Sequence, residues 1–245
     1  MNEIEKFNKE KEGNILLQGD NEKLKETATA FMNASISARY SYNFNWLGRP
    51  IIQYPQDMIA MQEIIWDIKP DLIIETGIAH GGSLIFYASI LELIGKGEVV
   101  GVDIDIREHN RKEIENHPLF KRITMIQGSS IDPEIVEEVR KHTEDKKVIL
   151  VTLDSNHTHD HVLEELKMYA PFVSLNSYLV VYDTIVEKLP ENHLEGNVRP
   201  WGIGDNPWTA LTTFISDNPE FEIDQSINNK LLISVAPDGY LKKIK

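Results

Sequence analysis

The chain has 245 residues, no cysteine, 41% hydrophobic residues and a formal net charge of −14. The surplus of carboxylates excludes a nucleic-acid backbone as the main partner and disfavours an anionic membrane surface. The missing thiols exclude disulfides and thiolate metal sites.

The length suits one large domain, or one domain with an appendage. The start, MNEIEKFNKEKEGN, lacks the apolar stretch of a secretory signal, and no run approaches the length of a membrane span. A cytoplasmic protein is therefore expected. Residues 1 to about 14 are charged and poor in apolar side chains, which predicts a frayed end or an exposed helix. Between 21 and 38, Leu24, Ala28, Phe31 and Met32 fall on one helical face. The aromatic and amide-rich stretch 39–55, punctuated by Gly48, Pro50 and Pro55, reads as an irregular binding loop or cap. We expect residues 1–55 to form an N-terminal helical extension with that cap loop, and 56–245 to form the main domain. A helix from Gln56 to Ile68 opens it, stopped by Pro70.

From there strands and helices alternate. Strands are predicted at 71–75, 98–103, 122–127, 148–153 and 178–182, and helices at 83–94, 107–116, 132–142 and 159–170. Alternation of this kind means a mostly parallel, doubly wound sheet with crossover helices. A helix near 207–216 follows, then strands near 220–224 and 230–235 joined by SINNK as an antiparallel hairpin. Seven strands in all are expected.

The most informative stretch is DLIIETGIAHGGS, 71–83. An apolar strand ends in Glu75, and Gly77, Ala79, Gly81, Gly82 and Ser83 form a loop that lets a ligand approach the backbone. This is the nucleotide-cradling start of an open α/β sheet. The next strand ends in Asp103, where a carboxylate can accept hydrogen bonds from both ribose hydroxyls. A dinucleotide would place its pyrophosphate on the helix amides, and Glu75 would repel it. S-adenosylmethionine carries a sulfonium and an ammonium, which Glu75 favours. The loop therefore points to S-adenosylmethionine, with an NAD-dependent oxidoreductase as the alternative.

Ligands of such sheets sit beyond the carboxyl ends of the strands. Those ends deliver Glu75, Asp103, the run Gly128-Ser129-Ser130, Asp154 with His157, and Asp183 with Thr184. So many carboxylates on one rim need cations beside them. Asp154 and Asp183 are the metal-ligand candidates, and hard oxygen ligands suit Mg²⁺. His157, three residues past Asp154, suits a general base, since imidazole titrates at roughly pH 6.5 and a metal-acidified hydroxyl needs only a modest one. The remaining histidines of HTHDH, 157–161, read as a solvated turn at a helix start.

These segments together resemble the cephalosporin hydroxylase / rhamnosyl O-methyltransferase family over roughly residues 40 to 235. The similarity lies in WLGRPIIQYPQDM, DLIIETGIAHGGSLIFYASIL, GVDIDIR, LDSNHTHDHVLEEL, VVYDT and RPWGIGDNPWTA. It implies a class I, Rossmann-like methyltransferase: an S-adenosylmethionine-dependent, Mg²⁺-assisted O-methyltransferase acting on a hydroxyl of a sugar or small natural product. Glu75 to Ser83 would hold the methionine part, Asp103 the ribose, and Gly128 and Ser129 would lie near the adenine. Asp154 and Asp183 would bind Mg²⁺, with His157 as the base. One departure is Tyr182, where an acid is expected before Asp183; Asp160 or Thr184 is left to supply the third ligand. That departure also keeps open a catalytically inactive cofactor-binding subunit. Trp201 and Trp208 fit a substrate lid, a subunit contact or ordinary packing, and the aromatic segments favour a homo-oligomer.

Overall fold

The computed structural model describes residues 2–190 and 199–245. Two helices, α1 (Glu3–Gly19) and α2 (Glu22–Ser37), precede a short hairpin of β1 (Phe44–Trp46) and β2 (Arg49–Ile51). Helix α3 (Pro55–Ile68) leads into the alternating part: β3 (Leu72–Thr76), α4 (Gly82–Ile94), β4 (Glu98–Asp103), α5 (Glu108–Glu115), β5 (Ile123–Gln127), α6 (Pro133–Thr143), β6 (Ile149–Leu153), α7 (His159–Tyr169) and β7 (Tyr178–Val181). Helix α8 (Pro207–Asp217), β8 (Phe221–Ile223), α9 (Gln225–Leu231) and β9 (Tyr240–Lys243) complete it.

The main sheet has seven strands in the order β5-β4-β3-β6-β7-β9-β8. β3 pairs in parallel with both β4 and β6, and only β9 runs antiparallel to its neighbours β7 and β8. The central strands are buried on both faces, which is why they read as unbroken apolar runs. Alternate residues divide between two cores. Ile73, Val99, Leu150 and Val180 pack with α3 and α4, while Leu72, Ile74, Val100, Val151 and Leu179 pack with α6, α7 and α8. The strand order reverses between β3 and β6, so the connections that leave their carboxyl ends run to opposite faces and open a crevice there.

Two local expectations change. The stretch 39–55 contains a hairpin, with Phe44 opposite Ile51 and Trp46 opposite Arg49. Its turn places Leu47 (φ 45°) and Gly48 (φ 90°) in the left-handed region, the twist a two-residue hairpin demands. The run at 230–235 is not a strand. Helix α9 extends to Leu231, and the following residues are drawn onto Asp57, which accepts from Ser234 Oγ (2.6 Å) and Val235 N (3.0 Å). The last strand is Tyr240–Lys243, joined to β8 through α9 rather than by a tight turn.

Helix α1 has no buried residue and touches the body through α9, where Gln18 Nε2 donates to the Asn229 carbonyl (3.2 Å). Among the described residues no helix is long and apolar enough to cross a membrane.

Candidate active site

The loop between β3 and α4 owes its path to close backbone approach. Gly77 has φ 92°, and a Cβ there would lie 2.0 Å from the Asp154 carbonyl oxygen. The tips of β3 and β6 are thus locked together. Gly81 (φ 79°) leaves no room beyond Ile114, and Gly82 passes under the Pro50 carbonyl, which would sit 2.1 Å from a Cβ. Ala79 accepts the left-handed region at φ 44°.

The loop is braced from behind. Arg49, 9% exposed, donates to the His80 carbonyl from Nε (3.0 Å) and Nη2 (2.7 Å) and to Asn110 Oδ1 (3.0 Å). Asn110 Nδ2 in turn donates to the Ala79 carbonyl (2.9 Å). On the front, Asp103 Oδ2 accepts from Ile78 N (2.8 Å) and Ala79 N (3.1 Å). Ser129 and Ile104 line the same cleft of about 280 Å³ as Asp103. Gly128 is placed by packing: a Cβ would meet the Ile135 side chain at 2.3 Å.

Glu75 is fully buried. Its Oε2 accepts from Ser83 Oγ at 2.6 Å, while Oε1 has no hydrogen-bond partner. Burial pushes its carboxyl up to about 8, against the pull of the Ser83 and Tyr87 hydroxyls and with the help of nearby Asp103. Gln53 is 2% exposed and neither amide atom has a partner. Gln53 lines a small cavity with Gly77, Gly82, Ser83 and Asp154. Ser83, the hydroxyl partner of Glu75, lines the same cavity, and buried polar atoms left without partners are costly without a polar guest. Gln53 was not singled out from the sequence, because its isolation arises only when 50–53 folds over the loop.

Asp154, His157 and Asp183 converge so that one ligand atom from each lies within 4.8 Å of the others. His157 Nε2 lies 3.3 Å from Asp183 Oδ2. Trp201 meets the His157 ring edge-on, with centroids 4.9 Å apart. Burial and then the Asp183, Glu75, Glu165 and Asp57 carboxylates hold Asp154 well above the usual carboxylate range. Asp183 itself takes a left-handed backbone (φ 55°), a region that aspartate tolerates better than most side chains. The cluster fits a hard divalent cation, which would relieve the crowded carboxylates.

Among the described residues the acidic cluster is joined by His157, and neither Asp160 nor Thr184 turns towards it. Asp160 is exposed and outside the cluster, and Thr184 Oγ1 donates to the Pro237 carbonyl (2.7 Å). Tyr182 is 2% exposed and turned into the core. The other histidines of the run have structural partners. His159 Nδ1 pairs with Thr209 Oγ1 (2.8 Å), and His161 Nε2 with Ser130 Oγ (3.1 Å). Asn206 caps α8, whereas Asp205 accepts from His159 N (2.6 Å) at the start of α7. Trp201 lines the site, and Trp208 Nε1 donates to Asp238 (3.3 Å).

In front of the cluster lies a cavity of about 490 Å³, whose floor is Asp154, His157 and Asp183. Tyr42, Tyr54 and Trp201 form part of its walls.

The family model described as rhamnosyl O-methyltransferase/CmcI matches residues 38–244. Rhamnosyl O-methyltransferase of Mycobacterium bovis (strain BCG / Pasteur 1173P2) is 32% identical over 191 residues, 76% of this chain and 72% of that protein. The Mycobacterium leprae protein of the same name is 30% identical over 199 residues, 80% of this chain and 81% of its own. Among solved structures, CmcI with Mg and S-adenosylmethionine superposes with a TM-score of 0.59 at 17% identity, covering 83% of this chain and 78% of that one. The Bacillus cereus O-methyltransferase in complex with S-adenosylhomocysteine gives 0.54 at 14% identity, covering 89% and 91%. These two share the class I, Rossmann-like fold seen here. The chain belongs to the rhamnosyl O-methyltransferase/CmcI family of O-methyltransferases.

Proposed function

We propose that this protein transfers the methyl group of S-adenosylmethionine to a hydroxyl of a sugar or small natural product, with Mg²⁺ at Asp154 and Asp183. The observation that carries the reading is the convergence of Asp154, His157 and Asp183 on one cavity, directly against the Gly77 loop.

Glu75 and Gln53 supply the orphaned polar atoms that a methionyl ammonium and carboxylate would satisfy. Asp103 would accept from the ribose, and the cleft by Ile104 and Ser129, which it also lines, would take the adenine. Bound Mg²⁺ would acidify the acceptor hydroxyl and fix its position. His157 Nε2 accepts the hydroxyl proton, and Trp201 restrains the imidazole. The oxygen lone pair forms the new C–O bond as the methyl C–S bond breaks, and that electron pair stays on sulfur, giving neutral S-adenosylhomocysteine. The protein contributes mainly positioning and exclusion of water.

The test combines calorimetry with turnover. S-adenosylhomocysteine is expected to bind and NADH is not; the reverse result would mean an oxidoreductase. Asp154→Asn and Asp183→Asn should each abolish Mn²⁺ binding, read by electron paramagnetic resonance, and metal-stimulated methyl transfer across a panel of glycoside hydroxyls. Full transfer in the presence of chelator would overturn the metal assignment. Binding of S-adenosylhomocysteine without transfer to any acceptor would point to an inactive subunit.

A further inference from the structure

The chain has seven arginines among 39 acidic residues. Five of them have a carboxylate in ion-pair range: Arg49 with Glu113, Arg107 with Asp105, Arg111 with Glu115, Arg122 with Glu92, and Arg140 with Glu137. Among the described residues the two without one are Arg39 and Arg199, and both line the 490 Å³ cavity above Asp154, His157 and Asp183.

They reach it from different parts of the fold, Arg39 just after α2 and Arg199 ahead of α8. Each is exposed at the mouth and lies over an aromatic ring of the same cavity. The Arg39 guanidinium carbon is 6.0 Å from the Tyr42 centroid, and that of Arg199 is 5.4 Å from Trp201. Stacking of this kind restrains a guanidinium while leaving its N–H edge free. In a chain of net charge −14, arginines kept only for solubility would find carboxylates, as the other five do. The planar fork of N–H donors matches a carboxylate or a phosphate.

We propose that the acceptor is an anionic hydroxy compound. Its hydroxyl meets the floor of the cavity, its ring lies between Tyr42, Tyr54 and Trp201, and a carboxylate or phosphate ester is held at the mouth by Arg39 and Arg199. The assignment rests on the methyltransferase reading above and narrows its substrate class.

The experiment titrates two matched series into protein loaded with S-adenosylhomocysteine and Mg²⁺, followed by calorimetry and tryptophan fluorescence. One series is D-glucose, D-glucuronate and D-glucose 6-phosphate; the other is catechol and 3,4-dihydroxybenzoate. In at least one series the anionic member should bind about tenfold or more tightly than its neutral parent, the return expected of one charged hydrogen-bonded contact. Glucuronate against glucose 6-phosphate then separates carboxylate from phosphate. The preference should fall to within about threefold in the Arg39→Gln/Arg199→Gln variant. In the unaltered protein it should shrink as salt is raised, because contacts at a cavity mouth are screened. Equal binding of charged and neutral members, no binding of either, or a preference indifferent to salt overturns the acceptor assignment while leaving the methyltransferase reading intact. Failure of the protein to bind S-adenosylhomocysteine at the loading step overturns both.

Discussion

Glu75→Gln should make the ligand-free protein more stable and its cofactor weaker, and the structure sets the size of both effects. The Glu75 carboxyl is fully buried and raised from 4.5 to about 8, chiefly by desolvation. A folded-state value above the unfolded one means the folded chain binds the extra proton. Stability is therefore intact below 4.5 and is lost as pH rises through about 8. By pH 7 the loss amounts to about 3 kcal/mol, at roughly 1.4 kcal/mol per pH unit. Glutamine keeps an acceptor for Ser83 Oγ and never ionises, so most of that penalty disappears. A chain of this size gains roughly 2–4 °C per kcal/mol, so the melting temperature at pH 7 should rise by about 10 °C, and the gain should vanish near pH 4.5. On the proposed reading the same change removes the anion that would face the methionyl ammonium. S-adenosylhomocysteine should then bind about 10- to 100-fold more weakly, the scale of one charged hydrogen bond. Differential scanning calorimetry across pH and titration calorimetry read the two effects separately. A variant no more stable than the parent at pH 7, with undiminished cofactor affinity, would refute the assignment of Glu75 as a buried acid kept for a cationic guest.

Three further outcomes are expected. Below pH 8 the binding of S-adenosylhomocysteine should release close to one proton, read from titrations in buffers of different ionisation enthalpy, and affinity should climb with pH until about 8. Gly77→Ala forces a methyl group onto the Asp154 carbonyl at a backbone angle side chains avoid, and should cost about 3 kcal/mol in urea unfolding and abolish cofactor binding. Arg49→Ala strips the brace from the His80 carbonyl and Asn110, with an expected loss of about 2–3 kcal/mol and weaker cofactor binding; Arg49→Lys should rescue little, since a single ammonium cannot replace the fork.

The parts of this protein legible in its sequence are those where local chemistry and tertiary role coincide. Strands buried on both faces wrote continuous apolar runs, and a parallel sheet put their terminal carboxylates on one edge, so Glu75, Asp103, Asp154 and Asp183 could be read in order. The hairpin of β1 and β2 stayed hidden because Leu47, at its turn, adopts a left-handed conformation that its side chain disfavours. The run at 230–235 looked like a strand by composition, but Asp57, far away in sequence, captures its backbone. Gln53, Arg39 and Arg199 gain their meaning from what does not surround them, and no local pattern records a missing partner.

The contact between Gly77 and the Asp154 carbonyl has a consequence for how this enzyme can change. The two strand tips are held together by their backbones, so on the proposed reading the spacing of methyl donor and acidic cluster is set by the sheet and not by the cavity mouth. The wall above comes from another segment, the one carrying Arg39 and Tyr42. Acceptor preference can therefore be recut there, residue by residue, while the reacting atoms keep their alignment.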